Sequence, residues 1–148
     1  MAEAEDARND WCFACGKANP IGLKMEFFER DGKYVSLFTP GPEHQSYAGT
    51  VHGGIIGTML DEVMGRYQCT RGLKAVTARL ELRYRHPTPV GRQLTVSGWM
   101  VREHGRLIEM AGSVALPDGT VTVEAKATLV VSGTIVPYRD DEPPSACA

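Results

Sequence analysis

Residues 50–66 read TVHGGIIGTMLDEVMGR, and the spacing of their apolar side chains decides the fold. Ile55, Ile56, Met59, Leu60, Val63, Met64 and Tyr67 recur at helical spacing, which predicts a helix over 55–67 with one buried face. At about 100° per residue, Asp61 and Glu62 both fall on the other face. Their neighbours differ, because side chains four apart lie over one another on a helix. Glu62 has Arg66 four residues on, the favourable order for a helical ion pair. Asp61 has Gly57 and Gly65 instead, and each glycine inside a helix costs about 1 kcal/mol against alanine. A bare stripe through an acid implies that another backbone packs there or that a ligand reaches the carboxylate.

Outward from the helix, the chain reads as strands. Leu23 to Arg30 and Lys33 to Thr39 form a hairpin around Asp31-Gly32, a dipeptide suited to positive φ. Pro40, Gly41, Pro42 and Gly49 mark the loop that delivers the chain to His52. From Lys74 to His86 the residues alternate, with Val76, Ala78, Leu80, Leu82 and Tyr84 on one side and Thr77, Arg79, Glu81, Arg83 and Arg85 on the other. Three further strands follow: Gln93 to Glu103, Arg106 to Leu116 and Thr120 to Val131. With hairpin turns and no second helix to cross back, the sheet is expected to be largely antiparallel, of about five to six strands, in an α+β domain.

The 148 residues, 43% hydrophobic and 23% charged with a formal net charge of −2, describe one ordinary domain. That balance speaks against a nucleic-acid partner. No apolar run approaches the ~18 residues of a membrane span, and MAEAEDARND lacks the pattern of a signal peptide, so a cytoplasmic location is expected. The ends, 1–10 and 137–148, are polar and are expected as flexible tails around a domain spanning 11–136. The four cysteines are expected as reduced thiols. Cys12 and Cys15 make one C-x-x-C, half of a zinc ligand set; no second such pair or close His pair follows, although His44 or a second subunit could contribute. The reading is a reduced, partly buried pair with no metal and no cofactor.

Gly53 and Gly54 sit where the helix begins, and the first amides of a helix have no partner inside it. Without side chains in the way, a ligand oxygen can approach those amides, and the helix dipole favours negative charge there. Such a site suits a carbonyl oxygen that becomes an oxyanion in a transition state. Asp61 follows about two turns on, near enough for water or an acyl group to lie between. The plain alternatives are a flexible helix entry, a solvated Asp, a loop histidine at 52, a β-branched strand residue at 77 and a solvated basic face at Arg79, Arg83 and Arg85.

VHGGIIGTMLDEVMG, preceded by CFACGKANPIGLKMEF and followed by TARLELRYRHPTPVG, resembles the phenylacetic-acid-degradation-type (PaaI-like) branch of the hotdog-fold acyl-CoA thioesterases over roughly residues 11–131. The resemblance implies a hotdog fold, a long central helix wrapped by an antiparallel sheet. It also implies homodimers joined edge to edge, often paired into homotetramers, with the active site at the subunit interface. Position by position, the acid nine residues after His52 is Asp61, the family's general base or nucleophile. Gly54 corresponds to the oxyanion-binding amide, with Gly53 and His52 beside it, and Thr77 to the strand hydroxyl that places water. The second acid motif of hotdog dehydratases is not visible. Six residues before His52, where relatives carry Asn or Gly, this chain has Ser46, a weaker hydrogen-bonding group, with Gln45 next to it.

The expected function is therefore hydrolysis of an acyl-CoA thioester without metal, with Asp61, Gly54, His52 and Thr77 at the reacting centre. Gly53, Ser46 and Gln45 are assigned to substrate binding, and Arg79 and Arg83 to the CoA phosphates. The rivals are a non-catalytic acyl-CoA-binding regulator, an acyl-thioester hydratase or dehydratase, and a structural dimer with a vestigial pocket.

Overall fold

The computed structural model describes residues 11–140; the expected tail at 1–10, and the tail beyond 140, lie outside the described residues. Its elements are β1 (Phe28–Arg30), β2 (Lys33–Phe38), a short 3-10 turn (Pro42–His44), α1 (Gly53–Thr70), β3 (Leu73–Tyr84), β4 (Leu94–His104), β5 (Leu107–Ala115) and β6 (Val121–Thr134). The strands form one six-stranded sheet in the order β1-β2-β4-β5-β6-β3, antiparallel at every pairing. The helix α1 packs against β3, β4 and β5, as the element order and the hotdog resemblance predict. No helix among the described residues is long and apolar enough to cross a membrane.

The helix meets the sheet through Ile56, Met59, Leu60, Val63 and Met64, all buried, against Leu94, Val96, Ile108, Met110, Val114 and Leu129. Close approach is secured by two glycines that face each other across β4 and β5, Gly98 and Gly112. A Cβ on Gly112 would lie 2.9 Å from the Ser97 carbonyl oxygen and 3.2 Å from Leu60, and one on Gly98 would lie 3.2 Å from Met64. The first hairpin turns on Asp31 and Gly32 with φ of 52° and 75°, as their sequence predicts. Its first strand is shorter than expected. Leu23 and Met25 donate their amides to Phe13 and Ala14 at 2.8 and 2.9 Å, so this stretch pairs with the N-terminal segment rather than the sheet.

Two expectations are corrected. The alternation along β3 does not run through unbroken. The register against β6 shifts between Thr77 and Arg79, where one extra residue, Ala78, is accommodated in a β-bulge. Before the bulge Thr77 pairs with buried Leu129; after it Leu80 and Leu82 pair with buried Ala127 and Ala125. Thr77 therefore shares the helix-facing side with Leu82 and Tyr84, and Val76 faces the other way. Residues 137–140 are also packed rather than flexible: Tyr138 is buried, and Asp140 pairs with Arg66 of the helix at 2.6 Å. Cys12 and Cys15 are free thiols, as the sequence predicts.

Candidate active site

The helix begins at Gly53, capped by His52, whose Nδ1 accepts the Gly54 amide at 2.9 Å. His52 is held in turn by its own amide, which donates to the His44 carbonyl at 2.8 Å, while its carbonyl accepts from Ile55 and Ile56. The amide assigned to the oxyanion is thus formed and aimed outward, with an imidazole nitrogen in the position an oxygen would take. Tyr84 at the far end of β3 donates its hydroxyl to the Gly53 carbonyl at 2.7 Å. Its ring also explains the first glycine, since a Cβ on Gly53 would come within 3.3 Å of that hydroxyl. Sequence reasoning did not select Tyr84, which reads as one more apolar residue of an alternating strand.

Two turns along, Asp61 accepts a hydrogen bond from Thr77 Oγ1 at 2.7 Å. The β3 bulge makes this contact, because the unbroken alternation would have turned Thr77 away from the helix. One carboxylate oxygen is thereby fixed, on a half-buried side chain. The bare stripe through Asp61 divides. At Gly57 a Cβ would meet Leu82 Cδ1 at 3.1 Å, so a side chain of β3 fills that space. At Gly65 a Cβ would meet nothing within 4 Å.

The remaining expected contacts stand apart. Gln45 accepts the Gly49 amide on its Oε1 at 3.2 Å, and Ser46 pairs its amide with the Thr50 carbonyl at 2.9 Å, so both close the loop before His52. Arg79 and Arg83 face the side of the sheet opposite the helix. Arg83 lines an open cavity of about 740 Å³ there, together with Lys33, Trp99 and Lys126. Within the chain the structure brings Asp61 and Thr77 together, and His52, Gly53 and Gly54 together, but not the two arginines with either group.

Glu62 does not make the ion pair with Arg66 that their spacing offers. Arg66 is buried against Phe27, Tyr34 and Tyr138 and donates to Asp140 and to the Tyr34 hydroxyl. Glu62 instead lies against the N-terminal segment and accepts from the Cys12 thiol at 3.7 Å. Burial first, then the charge of Cys12, pushes the Glu62 carboxyl up to about 7. Hydrogen bonding from Cys15 lowers the Cys12 thiol to about 5, and the same contact together with burial raises Cys15 well above its ordinary range. His44 does not join this group; its Nδ1 accepts the Gly41 amide at 3.0 Å.

Residues 48–123 match the family described as the thioesterase superfamily, a span that includes His52, Gly54, Asp61 and Thr77. The chain is 31% identical over 113 residues to mouse acyl-coenzyme A thioesterase THEM4, covering 74% of this chain and 49% of that protein. It is 26% identical to mouse acyl-coenzyme A thioesterase 13, covering 68% of this chain and 79% of that protein. The chain thus spans about half the length of THEM4 in mouse and cattle. Among solved structures, a hypothetical thioesterase from Streptococcus pneumoniae TIGR4 with coenzyme A superposes with a TM-score of 0.70 at 25% identity, over 75% of this chain and 90% of that one. The Escherichia coli PaaI protein shares the fold, with a TM-score of 0.71 at 19% identity over 82% of this chain and 86% of that one. By fold, by the matched span and by the motif around its helix, the chain belongs to the thioesterase superfamily of hotdog proteins.

Proposed function

We propose that the protein hydrolyses an acyl-CoA thioester to the free acid and CoA. The observation that carries this reading is the 2.7 Å hydrogen bond that sets the Asp61 carboxylate beside Thr77. Asp61 takes a proton from a water that Thr77 orients, or attacks the carbonyl carbon itself. The carbonyl oxygen becomes negative against the Gly54 N–H at the helix N-terminus. Collapse of the tetrahedral intermediate breaks the C–S bond and expels CoA thiolate, a leaving group stable enough to depart without a metal. For the oxyanion to take the Gly54 amide, the His52 ring rotates away from it, which makes His52 a cap in the resting state and a wall of the carbonyl site in the working one.

Asp61 follows Gly54 by seven helical positions, a rise of about 10 Å. A reacting carbonyl must have its carbon about 3 Å from the nucleophile and its oxygen about 3 Å from the donor, so the two groups of one helix do not serve one carbonyl. The reading therefore pairs Asp61 of one copy with Gly54 of another in a homodimer. Support comes from β3, an edge strand whose Val76 and Tyr84 are 58% and 51% exposed. The names of the relatives, and the CoA in the pneumococcal thioesterase and in the Bacillus halodurans protein, 27% identical, favour acyl-CoA as substrate.

The test is chromatographic detection of free CoA from short, medium, long and aromatic acyl-CoAs, with wild type and Asp61→Asn side by side. Release by wild type, lost in Asp61→Asn with acyl-CoA binding retained, is the expected result. Saturable binding without release of CoA would instead favour a ligand-responsive regulator, and chemistry on the acyl chain with the thioester intact a hydratase or dehydratase.

A further inference from the structure

The N-terminal segment meets the helix at Glu62, and its first turn carries the C-x-x-C pair. The Gly16 amide closes that turn on the Cys12 carbonyl at 2.9 Å, and the amides of Leu23 and Met25 tie it to the stretch that follows. The turn places both thiols toward Glu62 of α1. The two Sγ atoms and a Glu62 carboxylate oxygen all lie within 4.8 Å of one another, and the Cys12 Sγ to Glu62 Oε1 separation is 3.7 Å. Around a tetrahedral zinc ion, with bonds of about 2.3 Å to sulfur and about 2.0 Å to oxygen, a sulfur and an oxygen ligand stand about 3.5 Å apart. The measured edge is already close to that size.

Charge points the same way. The cation that helix spacing offers Glu62 is Arg66, and it is committed to Asp140 and Tyr34. Two thiols and a carboxylate are left gathered on one spot, with Cys15 only 1% exposed and Cys12 and Glu62 half-buried. Two sulfurs and one oxygen suit a thiophilic ion, not the all-oxygen shells of magnesium or calcium.

We propose that Cys12, Cys15 and Glu62 bind one thiophilic divalent cation of the zinc class, with solvent in the fourth position, and that this ion staples the N-terminal segment to α1. The ion binds both sulfurs as thiolates, so any proton that Cys12 or Cys15 still holds is released on binding. The role is structural: Glu62 lies about 100° around the helix from Asp61, so the ion does not touch the Asp61–Thr77 pair, and the site stands whether or not the thioesterase reading holds.

The experiment titrates the reduced, metal-stripped full chain with Co²⁺ alone. A near-ultraviolet thiolate-to-cobalt charge-transfer band that saturates at one ion per chain and is abolished by added Zn²⁺ is expected. Cys12→Ser and Cys15→Ser should lose the band, Glu62→Gln should weaken binding about tenfold or more, and Asp61→Asn should keep it. Should the cysteine variants fail to fold, Glu62→Gln and the thermal midpoint of wild type, expected to rise with Zn²⁺, decide the matter. The proposal is overturned if no band forms, if the band survives in folded Cys12→Ser, or if Glu62→Gln binds as tightly as wild type. Oxidation of Cys12 to Cys15 as the pair's only chemistry, with no metal bound at equivalence, also overturns it.

Discussion

At Asp61 a single hydroxyl decides how the carboxylate presents itself. Thr77 Oγ1 donates to Oδ1, so the free lone pairs of the hydroxyl can accept from a water and turn that water toward the carboxylate. A hydrogen bond to a charged group is worth about 1.5–3 kcal/mol, which predicts that Thr77→Ala lowers CoA release about 10- to 100-fold while Thr77→Ser keeps most of it. An equal loss in both variants would show that the strand backbone, not the hydroxyl, matters. Asp61 could be chosen from the sequence because glycines flank it at one helical turn in each direction, whereas Glu62 had Arg66. Thr77 could not, since β-propensity explains a threonine in a strand, and only the family resemblance gave it a role. Arg66 and Glu62 were misread for one reason: the four-residue rule considers the helix alone, and Tyr34, Asp140 and Cys12 come from segments far away in sequence.

Among the elements, the helix and the antiparallel strands were legible, because a run of apolar residues at helical spacing and a period of two leave few alternatives. The bulge at Ala78 was not, since nothing in an alternating strand shows where one extra residue is absorbed. Its consequence is large, for it places Thr77 on the helix side. The facing glycines of β4 and β5 were equally silent, each sitting in an ordinary strand pattern. Gly112→Ala should cost about 1–3 kcal/mol by overpacking against Ser97 and Leu60, read as a lower urea midpoint with the slope unchanged. The segment after β6 has its own anchor, in which Arg66 and the Tyr34 hydroxyl both donate to Asp140 Oδ1. Asp140→Ala leaves the Arg66 guanidinium buried without its counter-charge. Because the Asp140 side chain is about a quarter exposed, the expected loss is moderate, about 1.5–3 kcal/mol in chemical denaturation. An unchanged midpoint would show that residues 137–140 contribute nothing to the fold.

For the whole molecule, the proposed chemistry needs two copies, because about 10 Å of helix separates the Gly54 amide from the Asp61 of its own chain. Residues that could face a partner are visible on β3, where Val76 and Tyr84 remain exposed on an unpaired edge. The most direct test mixes two inactive variants. Asp61→Asn removes the acid, and Gly54→Pro removes the amide hydrogen in the first turn, where no bond within the helix backbone is lost. A heterodimer of the two contains one site with both groups intact and one with neither. After subunit exchange of equal amounts, half the dimers are mixed and each carries one working site, so free-CoA release should return from near zero to about a quarter of the wild-type rate. A mixture that stays silent while its subunits exchange would contradict a site shared between copies, and CoA release by Asp61→Asn alone at the wild-type rate would contradict the thioesterase mechanism itself.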